Sequence, residues 1–258
     1  MKNTEQRATE TNISGDNMSI VKSISADDVP TARNSDQIFS YLLREIVELR
    51  IRPGEKLSEN ALAAQFHVSR TIIRASLQRL AQEGFVRIVP HSGSIVTKIH
   101  PEIAQQIIYM RVSVETSVLK DFIRSASSLE MEELKHRYQS HRERCQYILE
   151  HHITDNKDIN ELFNLDMSFH KTYFEFTNKE YIWSMLMTPQ PDYSRLLRLD
   201  MLDGMNLPEV QEQHAELMRI IEKGETDKIE PLLSLHFNGS IRRLGKLLFS
   251  EDFKNNLA

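Results

Sequence analysis

Apolar residues along this chain recur mostly at helical spacing, with one break of another kind. Between residues 35 and 49 they fall at Ile38, Leu42, Leu43, Ile46 and Leu49, which predicts an amphipathic helix from about Ser35 to Leu49. Pro53-Gly54 supplies turn chemistry after it. Ser58 is suited to cap a short second helix carrying Leu62, Ala63 and Phe66, and Ser69 a third running to about Glu83. Gly84 then offers the left-handed residue that ends many helices. Two β-prone runs follow, Phe85 to Val89 and Ser94 to Lys98, around a hairpin tip at Pro90-His91-Ser92-Gly93. Past Pro101 the helical pattern returns in six segments, roughly 101–126, 128–152, 156–176, 180–202, 207–223 and 227–249. Gly224 and Thr226 mark a stop and a start between the last two, and Pro231 favours a later start for the final helix. Residues 1–33, polar and without periodicity, read as a mobile arm, and residues 251–258 as a tail. The expected fold class is therefore mainly α. A three-helix head with a hairpin spans 34–99, and an all-helical bundle of six to seven helices spans 100–250.

Two short helices joined by a tight turn and followed by a β-hairpin describe a winged helix-turn-helix. The turn is Phe66-His67-Val68-Ser69, with His67 at the position that needs a positive φ. The third helix offers Arg70 and Thr71 in its first turn, and Arg74 and Gln78 follow on the face of Arg70. Ile73, Leu77 and Leu80 occupy the opposite, core side. A helix N-terminus bearing two guanidinium groups suits phosphate oxygens and the O6/N7 edge of guanine. On a lone amphipathic helix the same arginines would simply be solvated.

The net charge of −5 speaks against a nucleic-acid partner only until its distribution is considered. Residues 34–98 hold nine Lys/Arg against six Asp/Glu, whereas residues 99–258 hold 19 against 26. A basic head on an acidic body fits a small nucleic-acid module joined to a domain with other duties. Cys145 is the only cysteine, no apolar run approaches the roughly 20 residues of a membrane span, and the first residues are too polar for a signal peptide. The expected location is the cytoplasm.

In the body, four polar residues interrupt apolar stripes. The segment 156–176 carries Ile159, Leu162, Phe163, Phe169 and Tyr173, and the stripe positions left open are Asp166 and His170. In 207–223 the stripe of Val210, Leu217 and Ile221 includes His214, and in the last segment Ile229, Leu232 and Leu233 lead to His236. Each His alone could be a core residue bonded to a backbone carbonyl. An inward, unpaired Asp is costly, however, and one divalent ion would satisfy all four groups. Asp with three His suits Zn, Ni, Mn or Fe better than Ca or Mg.

The head resembles the DNA-binding domain of bacterial GntR-type regulators. The likeness is carried by Pro53-Gly54-Glu55-Lys56-Leu57-Ser58-Glu59, Leu62-Ala63, Val68-Ser69-Arg70-Thr71, Arg74, Leu77, Arg79-Leu80, Glu83-Gly84 and Gly93. It implies that Arg70, Thr71 and Arg74 contact a palindromic operator on double-stranded DNA, with His91 and Gly93 at a wing tip near the minor groove. The family often has Pro at the place of Ile72 and Glu-Ala at Ala75-Ser76, and a second-helix contact, often Arg, is Asn60 here. Residues 101–249 resemble the helical FCD effector domain of the FadR-type subfamily through Arg111 with Glu115, Asp166-Met167-Ser168-Phe169-His170, Asn178, His214, Lys223-Gly224-Glu225 and His236. That likeness implies a metal held by Asp166, His170, His214 and His236, and a small carboxylate effector, a hydroxy or sugar acid, beside it. Arg111 and Asn178 are the implied effector contacts. Within the sequence Arg111 is equally an i,i+4 partner for Glu115, and an Asn after a helix, as Asn178 is, is more often a C-cap. Arg195 and Arg198 are read as solvated, with an anion partnership as the alternative.

The function expected is that of a homodimeric transcriptional repressor or activator whose operator binding responds to the effector. A purely structural metal and a metalloenzyme with a DNA-binding appendage are the competing readings. Catalysis is disfavoured because no inward Glu or Tyr stands out as a general base, so no enzymatic activity is expected.

Overall fold

The computed structural model describes residues 34–90, 93–153, 155–188, 190–202 and 207–247. The arm at 1–33, the tail at 251–258 and His91 of the wing lie outside the described residues.

Helix α1 (Ser35–Val47) opens on Asn34, whose side chain accepts the Gln37 N–H. It ends two residues earlier than its apolar stripe, because Leu49 turns to φ +59°. Ser58 caps α2 (Glu59–Phe66) by accepting the Ala61 N–H, while Ser69 starts α3 (Arg70–Gln82) without a side-chain cap bond. His67 sits at φ +53° between them, the left-handed turn expected from the sequence. Gly84 (φ +80°) stops α3, with Phe85 N–H donating to Leu80 O. The buried faces of the three helices meet at Ile38, Leu42, Leu62, Ile73, Leu77 and Leu80. The hairpin is β2 (Val86–Val89) with β3 (Gly93–Val96), registered Val86 to Val96. A two-residue strand missed in the sequence, β1 (Lys56–Leu57), pairs with the other edge of β3, so the sheet order is β1-β3-β2. Such a strand is too short to show an alternating pattern.

The body is helical throughout its described residues. Pro101 sits in the first turn of α4 (Pro101–Ser125), where its missing N–H costs nothing. Helix α5 (Ser128–His151) starts with a capping box between Ser127 and Glu130, and Asp155 caps α6 (Asn156–Phe176). The segment expected as one helix at 180–202 is two, α7 (Glu180–Met187) and α8 (Pro191–Leu202), since Pro191 cannot continue a helix and leads a new one. After α9 (Leu207–Lys223), Gly224 and a 3-10 turn (Thr226–Lys228) lead into α10 (Ile229–Phe237). Pro231 thereby falls in the first turn of α10, where it is tolerated. Asn238 separates α10 from α11 (Gly239–Leu247), a second division of a segment expected whole.

Head and body have separate apolar cores, and α8 lies against both. Arg195 and Arg198, expected in solvent, are instead 0% and 4% exposed. The Arg195 guanidinium donates to Thr97 O, to Thr97 Oγ1 at 3.2 Å and to Lys98 O at 3.3 Å, the chain that joins the wing to α4. Asp192 accepts the His100 N–H at 2.7 Å. Burial drives the Arg195 pKa down to about 10, with Asp192 opposing. The amphipathic pattern missed this because a long guanidinium can be buried when backbone carbonyls receive it.

Candidate DNA-reading face and metal centre

Arg70, Thr71, Arg74 and Gln78 all lie exposed on α3. Arg74 forks onto Glu59 of α2, Nε to Oε1 at 3.0 Å and Nη2 to Oε2 at 2.8 Å, and Arg70 Nη2 lies 3.6 Å from the same carboxylate. The bond from Arg74 lowers the Glu59 pKa, so the carboxylate stays charged. The two arginines are thus gathered over one acid. Gly93, at φ +91°, begins β3 beside the wing tip, where a side chain would be strained.

In the body, Asp166 and His170 project from successive turns of α6, His214 from α9 and His236 from α10. One ligand atom from each lies within 4.8 Å of all the others. His214 Nε2 is 3.3 Å from both Asp166 Oδ1 and His170 Nε2. Burial holds the pKa of His214 and of His236 well below the imidazole range, and neighbouring imidazoles push the same way. Neutral rings keep a lone pair for a metal. The outer nitrogens are occupied: His170 Nδ1 meets Glu115 Oε2 at 2.9 Å and Tyr173 Oη at 2.8 Å, and His236 Nδ1 meets Gln213 Oε1 at 2.9 Å. Such partners fix which nitrogen faces inward. The donor set of three imidazoles and one carboxylate therefore fits a first-row transition ion.

A cavity of about 60 Å³ adjoins the cluster, lined among others by Arg111, His141, Asp166, Tyr193, Asp200 and His236. One water needs roughly 10–15 Å³ of such space, so only a small molecule is accommodated. Arg111, 1% exposed, donates through Nε to Glu115 Oε1 at 2.6 Å and through Nη1 to the Tyr193 hydroxyl. Its Nη2 lies 2.6 Å from Glu115 Oε1 but has no aligned hydrogen-bond partner among the described residues. Burial opposes the Arg111 cation, yet Glu115, Tyr193 and Tyr173 outweigh it and raise its pKa. Arg111 is thus the i,i+4 partner of Glu115 and also lines the cavity. Asn178 is not among the cavity residues: it is exposed at φ +55°, one residue past the C-cap of α6. There it forms a helix stop, its N–H donating to Glu175 O and Lys179 N–H to Phe174 O.

Several site residues escaped the sequence. Glu115 and Tyr173 do point inward, but Glu115 is committed to Arg111 and His170 and Tyr173 to Glu115 and His170, and Tyr173 looked like one more apolar stripe position. His141 was legible: it falls on the buried stripe Leu134, His141, Cys145 and Ile148 of α5. Asp200 and Arg243, paired by two bonds of 2.7 Å, come from helices the pattern had fused into longer segments.

A winged helix-turn-helix joined to a helical domain with this cluster defines a class, the bacterial transcriptional regulators with a helical C-terminal domain. Residues 34–96 match "Bacterial regulatory proteins, gntR family" and residues 106–239 match the FCD domain, so the chain belongs to the GntR family and carries an FCD domain. It is 27% identical to the HTH-type transcriptional repressor RspR of Escherichia coli over 80% of this chain and 87% of that one. It is 26% identical to the gluconate operon transcriptional repressor of Bacillus subtilis, over 77% and 79% of the two chains. Among solved structures, a putative GntR regulator from Rhodococcus has a TM-score of 0.62 at 18% identity, covering 82% of this chain and 97% of its own. E. coli McbR/YncC has 0.60 at 16%, covering 87% and 99%. These structures share the fold. No described helix is long and apolar enough to cross a membrane.

Proposed function

We propose that this transcriptional regulator binds operator DNA as a homodimer and that a small carboxylate, a hydroxy or sugar acid, modulates that binding at a metal site in the helical domain. The domain division at 34–99 and 100–250 belongs to the same proposal. Asp166, His170, His214 and His236 hold one divalent transition ion (Zn, Ni, Mn or Fe), and Arg111 holds the acid. The observation that carries it is the meeting of four ligand atoms, from three helices, beside a cavity that contains a buried guanidinium. An ion bound there supplies positive charge and coordination to carboxylate oxygens. Arg111 offers Nη2 to the same anion, and Tyr193 and Glu115 keep the guanidinium in place. A relative is named as a gluconate operon repressor, and gluconate is a sugar acid.

Helix α8 supports the coupling. Tyr193 and Asp200 face the cavity, while Asp192 and Arg195 hold the chain leaving the wing. An acid that binds beside Tyr193 acts on a helix already bonded to the head. It shifts operator binding only as far as its affinities for the two arrangements differ. Metal analysis of the purified protein beside Asp166→Ala and His214→Ala is the first test. The expected result is about one ion per chain, lost in both variants, with carboxylates then raising the unfolding temperature. No ion after reloading a metal-free preparation refutes the site. An ion with no response to any carboxylate leaves the metal purely structural.

A further inference from the structure

Of the three imidazoles in the four-residue cluster, two direct their outer nitrogen at oxygen atoms, the usual partners of ligating histidines. The third is different. His214 Nδ1 faces another imidazole, His141 Nδ1 of α5, at 3.4 Å. The two rings meet edge to face with centroids 4.7 Å apart. His141 is 2% exposed, and it is not one of the residues whose ligand atoms all fall within 4.8 Å of one another. It stands beside the cluster rather than in it.

The protons can be assigned in sequence. His214 turns Nε2 toward Asp166 and His170, so a lone pair at Nε2 for an ion leaves the proton on Nδ1. That N–H points at His141 Nδ1, which must then be an acceptor. A neutral His141 accepting at Nδ1 carries its proton on Nε2. His141 Nε2 in turn lies 3.7 Å from Asp166 Oδ1. One tautomer of His141 therefore suits both neighbours at once.

Resting on the metal reading of the cluster, we infer that His141 is a positioning residue of the centre. Its Nδ1 fixes the tautomer and direction of the His214 ring, and its Nε2–H faces the carboxylate of Asp166. An apolar side chain would fill the same space and do neither.

The test uses the full chain, titrated with Co²⁺ and followed by its visible absorption, with Zn²⁺ affinity measured against a competing chelator. His141→Asn puts an amide oxygen about where Nδ1 stands, whereas His141→Gln reaches about where Nε2 stands. His141→Ala removes both. The expected result is a loss of roughly 10- to 100-fold in affinity for Ala and Gln at unchanged stoichiometry, with Asn near wild type. The Asn variant should also keep the wild-type Co²⁺ spectrum, since no ligand is lost. Equal affinity in Asn, Gln and wild type overturns the inference. A changed spectrum in Asn overturns it too, and makes His141 a ligand. If the Ala variant does not fold, the contrast of Asn with Gln decides alone. A wild-type protein that takes up no Co²⁺ refutes the metal reading before any variant is made.

Discussion

Glu59 holds Arg74 by two hydrogen bonds and stands near Arg70, so the side chains expected to read DNA are organised before any DNA arrives. The carboxylate orders them, and it competes with phosphate for them. Replacing Arg70 or Arg74 by Ala should weaken operator binding roughly 5- to 150-fold at fixed salt, as loss of a bidentate base contact does. Unchanged binding in both would move the reading face elsewhere. Glu59→Gln should raise affinity for unrelated duplexes, measured by the same titration, because the guanidinium groups no longer share a fixed negative charge. In the body, the buried Arg111–Glu115 pair is a weak argument for stability. Glu115 receives Arg111, His170 and Tyr173, so it ties the guanidinium at the cavity to one imidazole of the cluster. Asp166 is the acid that belongs to both cavity and cluster.

Among the elements, α8 shows best why burial cannot be inferred from polarity. Its sequence carries two arginines and two aspartates in twelve residues, a pattern normally read as a solvated face. Both arginines are buried, because one edge of the helix meets the head and the other meets α4 and the cavity. Arg195→Leu should leave metal binding intact and uncouple it from DNA. Operator affinity should then no longer change on adding the effector or the ion, whereas wild type responds. A response of wild-type size would remove α8 from the path. Helix ends, by contrast, depend on local determinants and were partly legible, although Ser69 starts α3 without its expected cap bond. Ser127 with Glu130, Ser58, and Gly84 act within one turn, so their roles follow from neighbours in the chain. Ser127→Ala should cost about 1 kcal/mol in thermal or urea unfolding by loss of the capping box.

For the molecule as a whole, the histidine cluster links stability to pH. Burial keeps His214 and His236 well below the ordinary value near 6.5. In metal-free protein the unfolded chain takes protons in this range that the folded chain refuses. Their contribution is complete above about pH 6.5 and declines as pH falls toward the depressed folded values. Unfolding midpoints of the metal-free protein, followed from neutral to mildly acid pH, should drop accordingly. A flat profile would mean that the rings are hydrated rather than buried.

The fold class and four converging polar residues were readable in advance because both depend on periodicity. Apolar residues at helical spacing fix which face goes inward, and a polar residue on that face is conspicuous whatever the neighbours are. The same rule exposed Asp166, His170, His214 and His236, and would have exposed His141. Tertiary contact alone decided the rest. It gave Tyr173 and Tyr193 polar partners, buried Arg195 against the carbonyls at Thr97 and Lys98, and placed Glu59 across from Arg74. Those pairings join residues from 15 to 98 positions apart. Hydrophobic patterning says which side of a helix is buried; only packing says which polar group waits on the other side.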